Sequence, residues 1–177
     1  MIERINTASY QEVDIESIIE EYGDSLLRMC TLYVKDRHLA EDILQETFIK
    51  VYQKYHTFNK QSHEKTWIIS IAINTCKNYL RGNWLRKVKT GVFDDSTSPI
   101  NIEDHILKAE KERDLLEKVL QLKVKYREVI LLYYYQELEV KDIAEILNIK
   151  EGSVRVRLQR ARSQLAKLLQ EVNTHEK

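Results

Sequence analysis

Apolar residues recur at three- and four-residue steps through most of the chain, and almost nothing interrupts them. Among 177 residues there are four glycines and one proline. These two residue types are the strongest local breakers of helix and the commonest makers of tight turns. A chain that nearly lacks them and keeps a 3.6-residue period is confined to helices packed on helices. Ile15, Ile18, Ile19, Tyr22, Leu26, Met29, Cys30 and Tyr33 make one stripe over residues 15–33. Ala40, Ile43, Leu44, Thr47, Val51 and Tyr55 repeat the pattern over 39–55, and Trp67, Ile68, Ile71, Ala72, Thr75 and Tyr79 over 65–81. These three predicted helices can close a bundle. The polar stretch 59–64 between the second and third reads as a loop. Trp67 can stack on a base, but its place on the stripe favours the core.

Periodicity lapses after Lys89, where Gly91 to Pro99 gather the turn formers and the proline. It resumes near Ile106, with helices expected over about 106–122, 126–136, 140–147 and 152–170. No strand alternation and no internal repeat is visible. The predicted fold is all-α. It comprises two small helical domains, 1–90 and 113–177, joined by a flexible acidic linker, 91–112.

Charge is segregated along this framework. The chain balances 28 Lys+Arg against 28 Asp+Glu. Residues 1–30 nevertheless hold two basic and seven acidic side chains, and residues 91–112 hold two and six. Residues 65–90 carry six basic ones and no acidic one, and residues 151–170 carry five against Glu151 alone. Two basic segments about 85 residues apart imply two anion-facing surfaces or two solvated helix faces.

Several function classes find no support. The longest apolar run, Val129 to Tyr135, has seven residues, whereas a membrane span needs about 20. The start of the chain has no apolar segment of the secretory kind. Cys30 and Cys76 sit in helical stripes and suit free core thiols in a reducing compartment, so the expected location is cytoplasmic. Five histidines are scattered, and neither a Gly-rich phosphate loop nor a metal-ligand cluster is present. The expectation is a protein without catalytic residues, metal, cofactor or small-molecule substrate.

The C-terminal third has helix-turn-helix grammar. Val140, Ile143, Ala144 and Leu147 face one way, with Ala144 small where a second helix must cross. Asn148 tolerates the left-handed conformation that ends a helix, and Ile149 plugs the corner. On the following helix Val154, Leu158, Ala161 and Leu165 point inward. Ser153, Arg155, Arg157, Arg160 and Arg162 are left outward, where Arg suits guanine and phosphate contact and Ser or Gln suits base edges. From this motif alone, a stand-alone helix-turn-helix regulator acting as a dimer fits equally well. In the N-terminal half Asn74, Lys77, Asn78 and Arg81 share a helix face that can hold a single strand by amides and cations. Asp42, Gln45 and Glu46 form an acidic ridge that DNA repels; its partner is a protein or solvent.

Three runs together resemble bacterial sigma factors. Ala40-Glu41-Asp42-Ile43-Leu44-Gln45-Glu46-Thr47-Phe48 resembles the core-binding segment. Thr66 to Arg81, with Trp67 and Asn74-Thr75-Cys76-Lys77-Asn78, resembles the −10 element segment. Tyr126-Arg127-Glu128-Val129-Ile130-Leu131-Leu132, followed by the helix-turn-helix, resembles the −35 element domain. Two such domains, with little else, is the layout of the extracytoplasmic-function (ECF, group 4) subfamily.

The resemblance implies a sigma region 2 bundle and a sigma region 4 helix-turn-helix. It places Asp42, Gln45, Glu46 and Phe48 on or near the surface that docks the clamp coiled coil of the polymerase β′ subunit, with the β flap as a second contact. It places Asn74, Lys77, Asn78 and Arg81 at the −10 strand, and residues 59–66 at a loop holding a flipped-out base. Ser153, Arg155, Arg157, Gln159 and Arg160 fall at the −35 element. It also implies an anti-sigma factor, often membrane-anchored, which would hold the chain near the membrane. Departures from the pattern are Ser70 in place of Arg, Leu122-Lys123-Val124 in place of a Leu-Pro start, and Lys150 in place of a Ser/Thr cap.

Overall fold

The computed structural model describes residues 13–59, 62–90 and 110–175, and the described residues are helical apart from short connections. Helix α1 spans Ile15–Val34, α2 Arg37–Lys54 and α3 Glu64–Thr90. These are followed by α4 Glu110–Gln121, α5 Val124–Ile130, α6 Val140–Leu147 and α7 Glu151–His175. A 3-10 turn, Tyr55–Thr57, extends α2, and a π-helical turn, Leu131–Tyr135, extends α5.

The junction of α1 and α2 illustrates how little chain a sharp reversal needs. Lys35 adopts the left-handed conformation (φ 62°) and returns its N–H to the Thr31 carbonyl at 2.8 Å. Asp36 then caps α2 by accepting the Leu39 N–H at 3.0 Å. Asp14 caps α1 in the same way through Ser17. α1, α2 and α3 pack together around Leu26, Met29, Ile43, Val51, Ile68 and Ile73, all fully buried. α4 to α7 form a second bundle around Val129, Leu132, Ile143, Val154 and Ala161.

The differences from the periodicity are local. Ile19 lies on the expected apolar stripe but is exposed. α3 continues nine residues beyond the expected end, because 82–90 is a cationic run free of proline and its Gly82 is tolerated inside the helix. The expected helix over 126–136 starts at Val124 and widens into the π turn, where the Gln136 N–H reaches back to Leu131 at 2.9 Å. Of the expected linker 91–112, residues 91–109 lie outside the described residues, and 110–112 already belong to α4.

The two bundles are docked. α3 packs on α6, and α1 on α5 and its π turn. The apolar cores of the two bundles merge into one cluster.

Candidate nucleic-acid and protein-docking surfaces

The turn between α6 and α7 is built as the sequence requires. Asn148 is left-handed (φ 52°, ψ 51°), and its N–H reaches the Glu145 carbonyl at 3.1 Å. Ile149 N–H returns to the Ala144 carbonyl at 3.0 Å, which closes the helix end. Lys150 stands at the N-cap of α7, and its carbonyl takes the N–H groups of Ser153 (2.8 Å) and Val154 (3.2 Å). Val154, Leu158 and Ala161 are buried, and Leu165 packs partly against the core.

That burial turns Ser153, Arg155, Gln159 and Arg160 to solvent. Arg155 pairs with Glu151 one turn back, at 2.7 Å and exposed. Such a pair is worth little and is easily exchanged for a phosphate. Arg160 stands beside the Tyr126 hydroxyl and holds its pKa below the usual tyrosine range. Arg162 is committed elsewhere: its Nε donates to the Tyr134 hydroxyl at 2.7 Å, and its guanidinium lies over the rings of Tyr133 and Tyr134.

Arg157 departs from the outward set. It is half-buried, and its guanidinium donates to Glu128 Oε1 at 2.8 Å. It braces α7 against α5 instead of pointing into solvent. In its place Val156 is exposed on the outer face, where an apolar side chain can touch a thymine methyl.

On α3, Asn74, Asn78 and Arg81 are exposed, as their shared face requires. Arg81 donates to Asn78 Oδ1 at 2.8 Å. Arginine can only donate, so the Asn78 amide turns its oxygen to Arg81 and its NH2 group away, the orientation that suits an acceptor on a base or phosphate. Lys77, half-buried, turns away from this group: its Nζ is 4.0 Å from Glu128 Oε2. Ser70 donates to the Trp67 carbonyl within its own helix.

Trp67 is half-buried and packs on the core through an aromatic cluster. Its ring centroid is 5.2 Å from Phe58 and 5.9 Å from Tyr55. The Tyr55 hydroxyl donates to Glu64, which pushes its pKa up to about 12. The cluster stands beside the segment 59–63, of which 60 and 61 lie outside the described residues.

The acidic ridge of α2 divides. Asp42 and Gln45 are exposed, but Glu46 is held by Lys50 and Tyr79, and the Lys50 contact pulls its carboxyl below the usual range. Phe48 is buried, so it supports the surface from beneath and does not form it. The residues that do continue the surface are Ile49, 57% exposed, and Tyr52, 62% exposed. Asp42, Gln45, Ile49 and Tyr52 follow one another at steps of three, four and three, one strip along α2. An exposed strip with an aliphatic and an aromatic residue is the composition of a protein-docking surface. Sequence reasoning missed both, although their spacing from Gln45 was visible.

Among the described residues no group of three or more His, Cys, Asp or Glu stands together as a metal site. Cys30 and Cys76 are buried against each other, and hydrogen bonding to Cys30, with burial, pushes the Cys76 thiol far up. Such a thiol is a poor nucleophile. Among the described residues no helix is long and apolar enough to cross a membrane.

Both helical bundles match known families in sequence. Residues 18–86 match the family model of sigma-70 region 2, and residues 112–165 that of sigma-70 region 4. The chain is 32% identical to the ECF RNA polymerase sigma factor SigW of Bacillus subtilis (strain 168), over 88% of each chain. It is 32% identical to SigM of the same organism, over 87% of this chain and 94% of the relative. Among solved structures, a sigma factor RpoE crystallised with the anti-sigma factor NepR from Bartonella quintana has the same fold. Its TM-score is 0.75 at 24% identity, covering 89% of this chain and 97% of that one. Both halves of the fold and the relatives that span nearly its whole length agree: the chain belongs to the sigma-70 family, among the ECF sigma factors.

Proposed function

We propose that this chain directs RNA polymerase core to a specific set of promoters. Sigma factors are transcription initiation factors, not enzymes, and the nucleotidyl transfer belongs to the polymerase. The observation that carries the reading is a second polar and cationic face, Asn74, Asn78 and Arg81 on α3, on a different bundle from the helix-turn-helix. A stand-alone dimeric regulator has no use for it, nor for the Asp42-Gln45-Ile49-Tyr52 strip.

In this reading Ser153, Arg155, Gln159 and Arg160 contact the duplex at the −35 element, with Val156 beside them. Asn74, Asn78 and Arg81, joined by Lys77 once it leaves Glu128, hold the −10 strand. Binding unpaired bases lowers the free energy of the melted state relative to the duplex, so strand capture and opening are one event. The α2 strip docks the β′ clamp coiled coil, and the second bundle meets the β flap. Arg157 acts by positioning α7.

An anti-sigma partner belongs to the same reading. It is supported by the solved sigma factors of similar fold, which are bound to NepR and to the cytosolic domain of CnrY. If that partner is membrane-anchored, the chain is held at the cytoplasmic face until released.

Run-off transcription with purified core on a promoter library tests the reading. Core-dependent transcripts from a shared −35/−10 pattern are expected. Tight, sequence-specific binding by the chain alone, with no stimulation of core, would establish the independent regulator instead.

A further inference from the structure

The outer face of α7 is apolar at its most prominent point. Val154, Leu158 and Ala161 are buried and fix which side of the helix meets the bundle. At about 100° per residue, Val156 lies within about 15° of the direction diametrically opposite the mean of those three. It is 44% exposed and stands in the second turn of α7, about 8 Å from the helix start at Glu151. The first turns of such a helix are the ones that reach base edges in a major groove.

The fold itself has no use for an apolar side chain there. Among the described residues, those that form or border the apolar core do not include Val156. A β-branched residue is also a weaker helix former than the Arg and Gln residues around it. The neighbouring cations are drawn aside. Arg155 leans back to Glu151 at 2.7 Å, and Arg160 stands beside the Tyr126 hydroxyl of α5. One turn before Val156, on the same side, is Gly152. A Cβ there would meet nothing within 4 Å, so packing does not require the glycine, and the approach to Val156 is open.

The chemistry of the major groove says what such a side chain reads. Thymine alone presents a methyl group there. A valine offers neither donor nor acceptor, so against the amino hydrogens of cytosine or adenine it leaves polar groups dehydrated and unpaired. Against the thymine methyl it removes apolar surface from water on both partners. Valine in a helix is confined to essentially one χ1 rotamer, so both of its methyls are in place before DNA arrives.

We infer that Val156 is a specificity-determining residue: the promoters this chain serves carry a thymine, read through its 5-methyl group, opposite the centre of the outer face of α7. Ser153, Gln159 and Arg160, exposed at three and four residues from Val156, take the adjoining base edges and phosphates. The inference rests on the sigma reading of the helix-turn-helix. It adds what that site selects, a chemical group in place of a hydrogen-bonding pattern.

The test uses holoenzyme assembled from the full chain and core polymerase, on duplex promoter fragments recovered from the run-off library. Each −35 thymine of either strand is replaced in turn by deoxyuridine, which keeps the base pairing and lacks only the methyl group. One such replacement should weaken binding about fourfold, the worth of one buried methyl. With Val156→Ala the same replacement should have little further effect, because the partner of the methyl is gone. At that pair, cytosine and 5-methylcytosine opposite guanine give an independent comparison. Wild type should favour the methylated base by about the same factor, and Val156→Ala should not. The thermal midpoint of Val156→Ala should match or exceed that of wild type, which keeps a folding defect out of the comparison. Deoxyuridine effects equal in wild type and Val156→Ala would place them in DNA shape and overturn the inference, as would selected −35 elements without thymine. Holoenzyme that yields no promoter-specific transcripts refutes the sigma reading, and the inference with it.

Discussion

Arg155 and Arg157 are two positions apart on one helix, yet the structure assigns them different physical work, and substitution separates the two. Arg155→Ala removes an exposed side chain whose partner, Glu151, is also exposed. Such a pair contributes about 0–1 kcal/mol, so the folded state should barely register its loss. Arg157→Ala leaves Glu128, whose side chain is 7% exposed, without its closest cation. The remaining partners are the Tyr33 hydroxyl and Lys77 at 4.0 Å. Removing one member of a well-buried pair costs about 3–5 kcal/mol. Arg157 keeps 28% of its side chain in solvent, so water can partly replace it. About 2 kcal/mol is then expected, in line with hydrogen bonds to charged groups. For a chain of this size that lowers the midpoint by roughly 4–8 °C. Thermal unfolding followed by helical circular dichroism reads the shift. Glu128→Gln supplies the control: in that background Arg157→Ala should cost little, because the unpaired charge is gone. If Arg157→Ala unfolds at the wild-type midpoint, the brace has no energetic content and Arg157 returns to the outward set.

Three further outcomes follow from the same geometry. Ile49→Ala with Tyr52→Ala should leave stability unchanged, since both side chains are exposed, yet weaken binding to core polymerase about 30-fold, or ~2 kcal/mol; undiminished binding by surface plasmon resonance would move the docking surface elsewhere. Asn148 sits at φ 52°, so Asn148→Ala should destabilise by about 1 kcal/mol while Asn148→Gly should not. Denaturant midpoints that fall equally for the two would remove backbone strain as the cause. Burial, and after it the Glu128 charge, raise the Tyr33 hydroxyl above the usual tyrosine range. A raised pKa stabilises the protonated folded form in full below pH ~10, and that contribution is lost as pH climbs further. The stability advantage of wild type over Tyr33→Phe in urea should therefore shrink above pH ~10; an advantage constant to pH 11 would contradict the assignment.

Much of this was legible in the chain before any coordinates. The α1, α2 and α6 stripes, the left-handed Asn148 and the inward line Val154-Leu158-Ala161 all follow from a 3.6-residue period and one residue's tolerance of positive φ. Those are local properties, and local sequence encodes them. The retraction of Arg157 was partly legible too: it falls within about 60° of the buried line through Val154 and Ala161, so a long side chain there can swing inward. Phe48, next to buried Thr47 and four residues after Leu44, was likewise readable as core. The contact of Tyr33 with Glu128 was not, because 95 residues separate them and no periodicity links two bundles. The continuation of α3 through 82–90 was legible in part, because Leu80, Trp84 and Val88 recur at four-residue steps; Gly82 within that run made 81 look like its end.

The π turn at Leu131–Tyr135 has a further consequence, in the genetics of length. A π turn is a regular helix that has taken in one additional residue. That residue turns everything after it by about 100° around the helix axis. Gln136, the first residue beyond it, meets Ser25 and Lys65 only because of that turn. Deleting one codon within 131–135 would restore a regular helix and point Gln136 away from α1, with α6 and α7 left intact in sequence. A single-codon insertion is thus enough to give a helix-turn-helix unit a fixed neighbour, and its removal enough to set that unit loose.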